Sequence, residues 1–267
     1  MIRFFNKYKG FAGCAVSAKL NYRGALLMNL VNSSVSLVAS LFLWNVLFRE
    51  QSVISGYTKD DMIVYLLIVF LMQATLGNAT EWEIAGSVLD SSIIMDLVKP
   101  ISFQTRCFFQ TLGASVTEGT IAALVSGTAA ICLGSLEKYA EPRRCILLLA
   151  SLLLAFSVKF CISYLAGLCC FFTSNGYGVI YMRQVITDIF SGALLPLSFY
   201  PQWFQKTANV LPFQSIMYTP TQIFLGRIEG AEAVNLLLLQ LVWVIVLWVF
   251  GHFFFRFAIR KVTIQGG

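Results

Sequence analysis

A chain of 267 residues that is 58% hydrophobic and only 12% charged has more apolar side chains than a soluble domain of its size can bury, so lipid is expected to solvate its exterior. With a mean hydropathy of +0.76 and room for roughly six spans of about 20 residues each, it has little chain left for a separate soluble catalytic domain. The net charge of +6 would suggest nucleic acid in a soluble protein, but no basic cluster or aromatic stacking platform accompanies it. The Lys and Arg lie beside apolar runs, where they set topology and contact lipid headgroups.

In chain order, Phe4, Tyr8, Phe11 and Ala15 recur at helical spacing among Arg3, Lys7 and Lys19, the pattern of an interfacial amphipathic helix. Phe11-Ala12-Gly13-Cys14 looks like a lipoprotein cleavage site, yet no apolar run precedes it, so this end is expected to be retained. Apolar runs then follow at about 25–48, 62–78, 108–133, 145–172, 179–199 and 233–255. Six spans place both termini on one side. Arg3, Lys7, Lys9, Lys19, Arg23, Lys99, Arg106, Arg183, Arg256, Arg260 and Lys261 share that side, against Arg49, Lys59, Lys138, Arg143, Arg144, Lys206 and Arg227 opposite. The bias makes both termini cytoplasmic.

The segment between the second and third runs carries Ser87-Val88-Leu89-Asp90, which fits a capping box, followed by a stripe of Leu89, Ile93 and Leu97 with Ile94 and Val98 beside it. An amphipathic cytoplasmic helix is expected there, ending at Lys99 before Pro100. Such a helix lies on lipid or docks into a partner.

Charges within the runs are costly unless paired or facing water. Glu118 lies about ten residues into the third run and Lys159 about fourteen into the fourth, which enters from the other side. At 1.5 Å per residue these depths, about 15 Å and about 21 Å, agree within a core of about 30 Å. A Glu118–Lys159 pair or a shared polar cavity is therefore expected. Arg183 and Asp188 fall in the first turns of the fifth run, where snorkelling to the interface suffices for both.

Four of the six prolines, Pro196, Pro201, Pro212 and Pro220, lie between the fifth and sixth runs, among Phe199, Tyr200, Trp203, Phe204, Phe213 and Tyr218. Proline interrupts the helical ladder and free backbone is not tolerated against lipid. Short helices at the outer interface, or a re-entrant hairpin, are the expected solution. Gly192 and Pro196 allow a kink suited either to a moving gate or to close packing.

No Gly-x-x-x-x-Gly-Lys-[Ser/Thr] phosphate loop occurs, and the chain has one histidine, His252, so neither a nucleotide site of that type nor a Ser/His/Asp set can be assembled. Of the seven cysteines, Cys132, Cys161, Cys169 and Cys170 sit in apolar runs and read as small core residues. No metal or cofactor is expected on this chain, and no enzymatic activity of its own.

Three segments resemble the type-2 ABC exporter permeases, in particular their short six-span bacterial subgroup. One is Gly86 to Ser102, ending Leu97-Val98-Lys99-Pro100-Ile101-Ser102, with Ala85 as a departure. Another is Ser191-Gly192-Ala193-Leu194-Leu195-Pro196-Leu197 with Phe199, Pro201, Trp203 and Leu211-Pro212-Phe213. The third is the tail Gln265-Gly266-Gly267.

The resemblance implies an all-α integral membrane fold forming a single permease domain. It would have six transmembrane helices, an N-terminal interfacial helix, a cytoplasmic coupling helix and an extracellular or re-entrant hairpin. The coupling helix corresponds to Ser87, Leu89, Asp90, Ile93, Ile94, Asp96, Leu97 and Lys99, and the gate or hairpin to Gly192, Pro196, Phe199, Pro201, Trp203, Pro212 and Phe213. Glu118, Lys159 and Asp188 are the candidate pathway residues.

Also implied are two copies of an ABC ATPase that hold the ATP and Mg, a second permease subunit, identical or homologous, and alternating-access export across a bacterial cytoplasmic membrane. The alternative, an ion-gradient-driven secondary transporter with Glu118 or Asp188 as proton site, calls for inverted repeats with broken helices in both halves. The proline-rich interruption occurs only near the fifth run.

Overall fold

The computed structural model describes residues 2–76, 79–97, 101–132, 139, 141–173 and 176–261. The chain is helical. Its elements are α1 (Ile2–Asn21), α2 (Arg23–Leu47), α3 (Lys59–Thr75), α4 (Ala79–Leu89), α5 (Ile93–Leu97), α6 (Phe103–Cys132), α7 (Pro142–Cys169), α8 (Gly176–Ser191), α9 (Gln202–Val210), α10 (Tyr218–Phe224) and α11 (Gly230–Ala258). A two-residue ribbon, β1 (Val53–Ile54) with β2 (Tyr57–Thr58), joins α2 to α3.

Among the described residues, five helices are long and apolar enough to cross a membrane: Gly24–Leu47, Lys59–Leu89, Phe103–Ile131, Pro142–Cys169 and Gly230–Ala258. The second stretch takes in α3 and α4; the predicted end of that span, residue 78, lies outside the described residues.

The predicted fifth span, 179–199, is not one helix. Its helix α8 has 16 residues, about 24 Å at 1.5 Å per residue against a core of about 30 Å. It stops because Gly192 adopts φ +84, a left-handed turn open to glycine and strained for other side chains.

Buried α3 is the central helix, packed against α2, α6 and α10, while α7 gathers α4, α8, α10 and α11 around it. α3 begins on a reciprocal capping box: Asp61 N donates to Thr58 Oγ1 at 3.3 Å, and Thr58 N donates to Asp61 Oδ2 at 3.0 Å. α2 and α11 keep Met28, Val31, Val38, Phe42, Leu238, Ile245 and Phe250 outward, faces suited to a bilayer or a second subunit.

The N-terminal helix does form, but its described contacts are with protein. α1 packs on α6, where a Cβ at Gly113 would lie 2.3 Å from the Ala12 carbonyl oxygen. Only glycine lets the two backbones approach so closely.

Candidate functional site

The predicted coupling segment is an elbow rather than one helix. Ser87 lies inside α4 and its hydroxyl donates to the Ile84 carbonyl at 2.9 Å, so the expected Ser87–Asp90 box does not form. A serine within a helix satisfies itself on the preceding turn, which leaves Asp90 free to make the corner. Asp90 Oδ1 accepts from Ser92 N at 2.9 Å, and Ser91 turns through φ +61. The Ser92 hydrogen bonds hold the exposed Asp90 carboxyl below its usual range.

α5 then spans five residues. Ile93 is 2% exposed and packs with Ile84, Phe103, Cys107, Tyr164 and Leu168, so the middle residue of the apolar stripe expected to meet a partner is turned into the chain's own core. The reason is length: one turn of helix cannot stand away from the bundle. Outward-facing apolar residues here are Met95, 75% exposed, and Leu89. Ile94 is half-buried, and Asp96 is held by Arg106 at 2.6 Å, with Arg106 also lying over the Phe103 ring. A groove of about 290 Å³ lined by Glu83, Ser87, Asp90, Ser92, Asp96 and Gln110 runs beside the elbow. Leu97 closes α5, while Lys99 and Pro100 lie outside the described residues.

Further into the bundle, α4, α7 and α8 bring four charges together. Arg183 of α8 donates through Nη2 to Glu81 Oε1 of α4, and Lys159 of α7 lies within electrostatic reach of Arg183, Asp188 and Glu81. Exposures of 0% for Glu81, 8% for Arg183 and 7% for Lys159 exclude snorkelling for the arginine. α4 can approach α7 because Gly167 faces Ile84 and the Glu81 backbone, with the nearest atom 3.0 Å from where its Cβ would be. Glu81 Oε2, Ser163 Oγ, Arg183 Nε and Thr187 Oγ1 are also buried here. Two acids and two bases balance in charge, the condition under which such burial is tolerable.

Glu118 does not join them. Its carboxylate pairs with Lys19 of α1 at 2.6 Å, which corrects the expected Glu118–Lys159 pair. Matched depth along two helices sets their height in the membrane, but not the direction each side chain faces. Glu118 faces α1, whereas Lys159 faces α4 and α8.

At the opposite end, the chain from Gly192 to Phe224 folds back as a hairpin. Two 3-10 turns, Leu197–Phe199 and Pro212–Ser215, alternate with α9 and α10. Tyr65 of α3 donates to the Gly192 carbonyl at 2.5 Å. Pro196 and Pro212 are buried at the starts of the two turns, and Pro201 precedes α9. Phe199 rests against Trp44 and Tyr57, and Phe213 against Phe190, while Trp203 projects outward. α10 is buried beside α3 and α7. Its irregular neighbours are satisfied by protein: Gln240 of α11 donates to the Ser215 carbonyl at 2.7 Å and accepts from Ser151 of α7 at 3.0 Å. Non-helical backbone survives at membrane depth only with such partners.

Asp61 anchors this end, accepting from Tyr139 and, at 3.1 Å, from Arg227, whose guanidinium lies 3.6 Å from the centre of the Tyr57 ring. Burial, and then the adjoining Asp61 carboxylate, push the Tyr139 hydroxyl above its usual range, so it remains a donor. Burial likewise pushes the Tyr57 hydroxyl up.

Glu81, Asp61, Tyr65 and Gln240 were not anticipated from the sequence. Glu81 has a signal in hindsight: Ile84-Ala85 continues the apolar character past residue 78, which places Glu81 inside a longer helix pair instead of a loop.

No curated protein matches the chain. The sequence family described as ABC-2 family transporter protein matches residues 34–266, a stretch that contains the elbow, the charge cluster and the hairpin. This multi-pass helical chain therefore belongs to the ABC-2 transporter family, as its membrane component.

Proposed function

We propose that this chain is the permease subunit of an ATP-driven exporter, and that each copy takes force from a separate ATPase at the α4–α5 elbow. The supporting observation is the buried Glu81–Arg183 contact. It ties α4, which carries the elbow, to α8, which leads at Gly192 directly into the hairpin. A push on the elbow is thus delivered to the hairpin by an ion pair, and the turn at Gly192 is where the backbone can hinge. Interfaces of this kind switch between discrete arrangements, here inward-open and outward-open states.

ATP and Mg sit on the ATPase, of which two copies serve two permease subunits, identical or homologous. Within this chain, Lys159 and Asp188 belong to the coupling cluster, and Glu118 to a separate cleft. A gradient-driven carrier using Glu118 or Asp188 is the weaker reading. Glu118 is tied to Lys19, and among the described residues the proline-rich helix interruption occurs only after α8, not in both halves of the chain.

The elbow assignment is tested by Met95→Asp. Because Met95 is exposed, the variant is expected to insert and fold like the parent while losing co-purification with its ATPase. Ile93→Asp, which buries a charge, is expected to unfold the base of the bundle instead. Retained assembly by the Met95 variant would exclude this docking surface. The proposed orientation, with α1 and the elbow in the cytoplasm of a bacterial cell, rests on the Lys and Arg bias. With Cys14, which is exposed, as the sole remaining cysteine, a membrane-impermeant maleimide is expected to react only in inside-out vesicles; labelling of intact cells would reverse the topology.

A further inference from the structure

Between α1, α2, α3 and α6 lies a cleft of about 410 Å³, lined by Lys19, Asn29, Asn32, Ser33, Gln73 and Glu118, with Trp82 also on its wall. It lies apart from the Glu81–Arg183 cluster and the hairpin, and neither uses its side chains. Asn29 and Ser33 stand about 9 and about 15 Å along α2, and Gln73 about 21 Å along α3, at 1.5 Å per residue. The cleft therefore reaches the middle of the spanning region.

Asn29, Asn32 and Gln73 are exposed to the cleft and Ser33 is half-buried, and among the described residues none of the four side chains has a protein hydrogen-bond partner. Amides and hydroxyls within spanning helices are costly when they have no partner. These side chains are open to whatever enters the cleft, and at membrane depth a polar occupant matches them where an acyl chain does not.

Its chemistry can be read from the wall. The cleft holds one cation and one anion, Lys19 and Glu118, already in contact at 2.6 Å. A net anion would meet Lys19 but be repelled by Glu118, and a net cation would meet the reverse. A ligand carrying both charges can open the pair and offer each partner an opposite charge, so neither is left bare. Trp82 adds an aromatic surface of the kind that attracts an ammonium group, and the amides supply donors and acceptors for a phosphate or carboxylate. Beside the cleft, Leu27, Met28, Val31 and Val35 of α2 are exposed apolar residues, a bed for an acyl chain.

We propose that this cleft binds a zwitterionic head group, one bearing an ammonium and a phosphate or carboxylate, presented by an amphiphile lying along α2. Reading that molecule as transported cargo rests on the permease assignment; the binding itself does not.

The test uses the full chain in maltoside micelles, with thermal midpoint and intrinsic tryptophan fluorescence followed during titration, and Trp82→Phe identifying the part of the signal that comes from the cleft. The probes are short-chain phosphatidylcholine, free phosphocholine and short-chain phosphatidylglycerol. Phosphatidylcholine is expected to raise the midpoint and shift the fluorescence of the parent. Asn32→Leu with Gln73→Leu, which should suit a spanning helix and fold, is expected to weaken that response about tenfold or more, the effect of about 1.4 kcal/mol. Lys19→Gln with Glu118→Gln is expected to do the same. Equal effects of phosphocholine would assign the site to soluble zwitterions, and no effect of phosphocholine would assign it to lipid. Either supports the class. Equal effects of phosphatidylglycerol, or an undiminished response in the leucine variant, would overturn it. If binding persists but does not stimulate the ATPase of the assembled complex, only the cargo reading fails.

Discussion

Replacing Arg183 with Leu is expected to destabilise the bundle by about 3–5 kcal/mol, because it leaves Glu81 charged or forcibly protonated in a site of 0% exposure. The double variant, Glu81→Leu with Arg183→Leu, is expected to recover most of that loss, since a buried ion pair replaced by apolar side chains is often neutral or stabilising. The pair's proposed role is transmission, so the double variant should melt like the parent and still fail to couple. The measurement is twofold: thermal unfolding in detergent, and the rate at which the assembled ATPase responds to the permease. A single variant as stable as the double would show the pair to be solvated. A stable double variant with parental coupling would remove it from the transmission path. Lys159 complicates only the size of the effect, because it sits near enough to Glu81 to compensate in part.

Gly192→Val should be the most damaging change at the hairpin end. The backbone there sits at φ +84, a conformation that strains a β-branched residue by about 1–3 kcal/mol. A Cβ would also fall 2.9 Å from the Tyr65 hydroxyl oxygen, in a region where Tyr65 is buried and has no room to withdraw. The expected result is a chain that inserts but melts earlier and does not support ATP-driven turnover. Tyr65→Phe is the companion: it keeps the ring packing but strands the buried Gly192 carbonyl, at about 1–3 kcal/mol. If Gly192→Val matches the parent in both melting and turnover, the hinge at this position is wrong.

Much of this protein is legible along one dimension. Apolar runs, prolines and the absence of a phosphate loop are properties of the sequence order itself. Residence in a membrane, the long helices α2, α6, α7 and α11 and the proline-bounded hairpin all follow from them. Physically, a lipid exterior selects for hydropathy over a fixed length, and proline cannot continue a helix wherever it stands.

What required the third dimension was direction. Glu118 and Lys159 have matched depths, but the packing of α1 on Gly113 puts Lys19 in front of Glu118, and the approach of α4 at Gly167 puts Glu81 near Lys159. Ile93 lies on a helical stripe in either reading; whether that residue meets a partner or the chain's own core depends on α5 being a single turn pinned beneath Phe103 and Tyr164. The apolar run at 179–199 continues past Ser191, yet the helix ends there, because Tyr65 holds the Gly192 carbonyl and the chain turns into a hairpin whose buried backbone is satisfied by Gln240. Hydropathy states how much of a segment prefers to leave water. Only neighbouring helices decide which of its faces is covered, and by what.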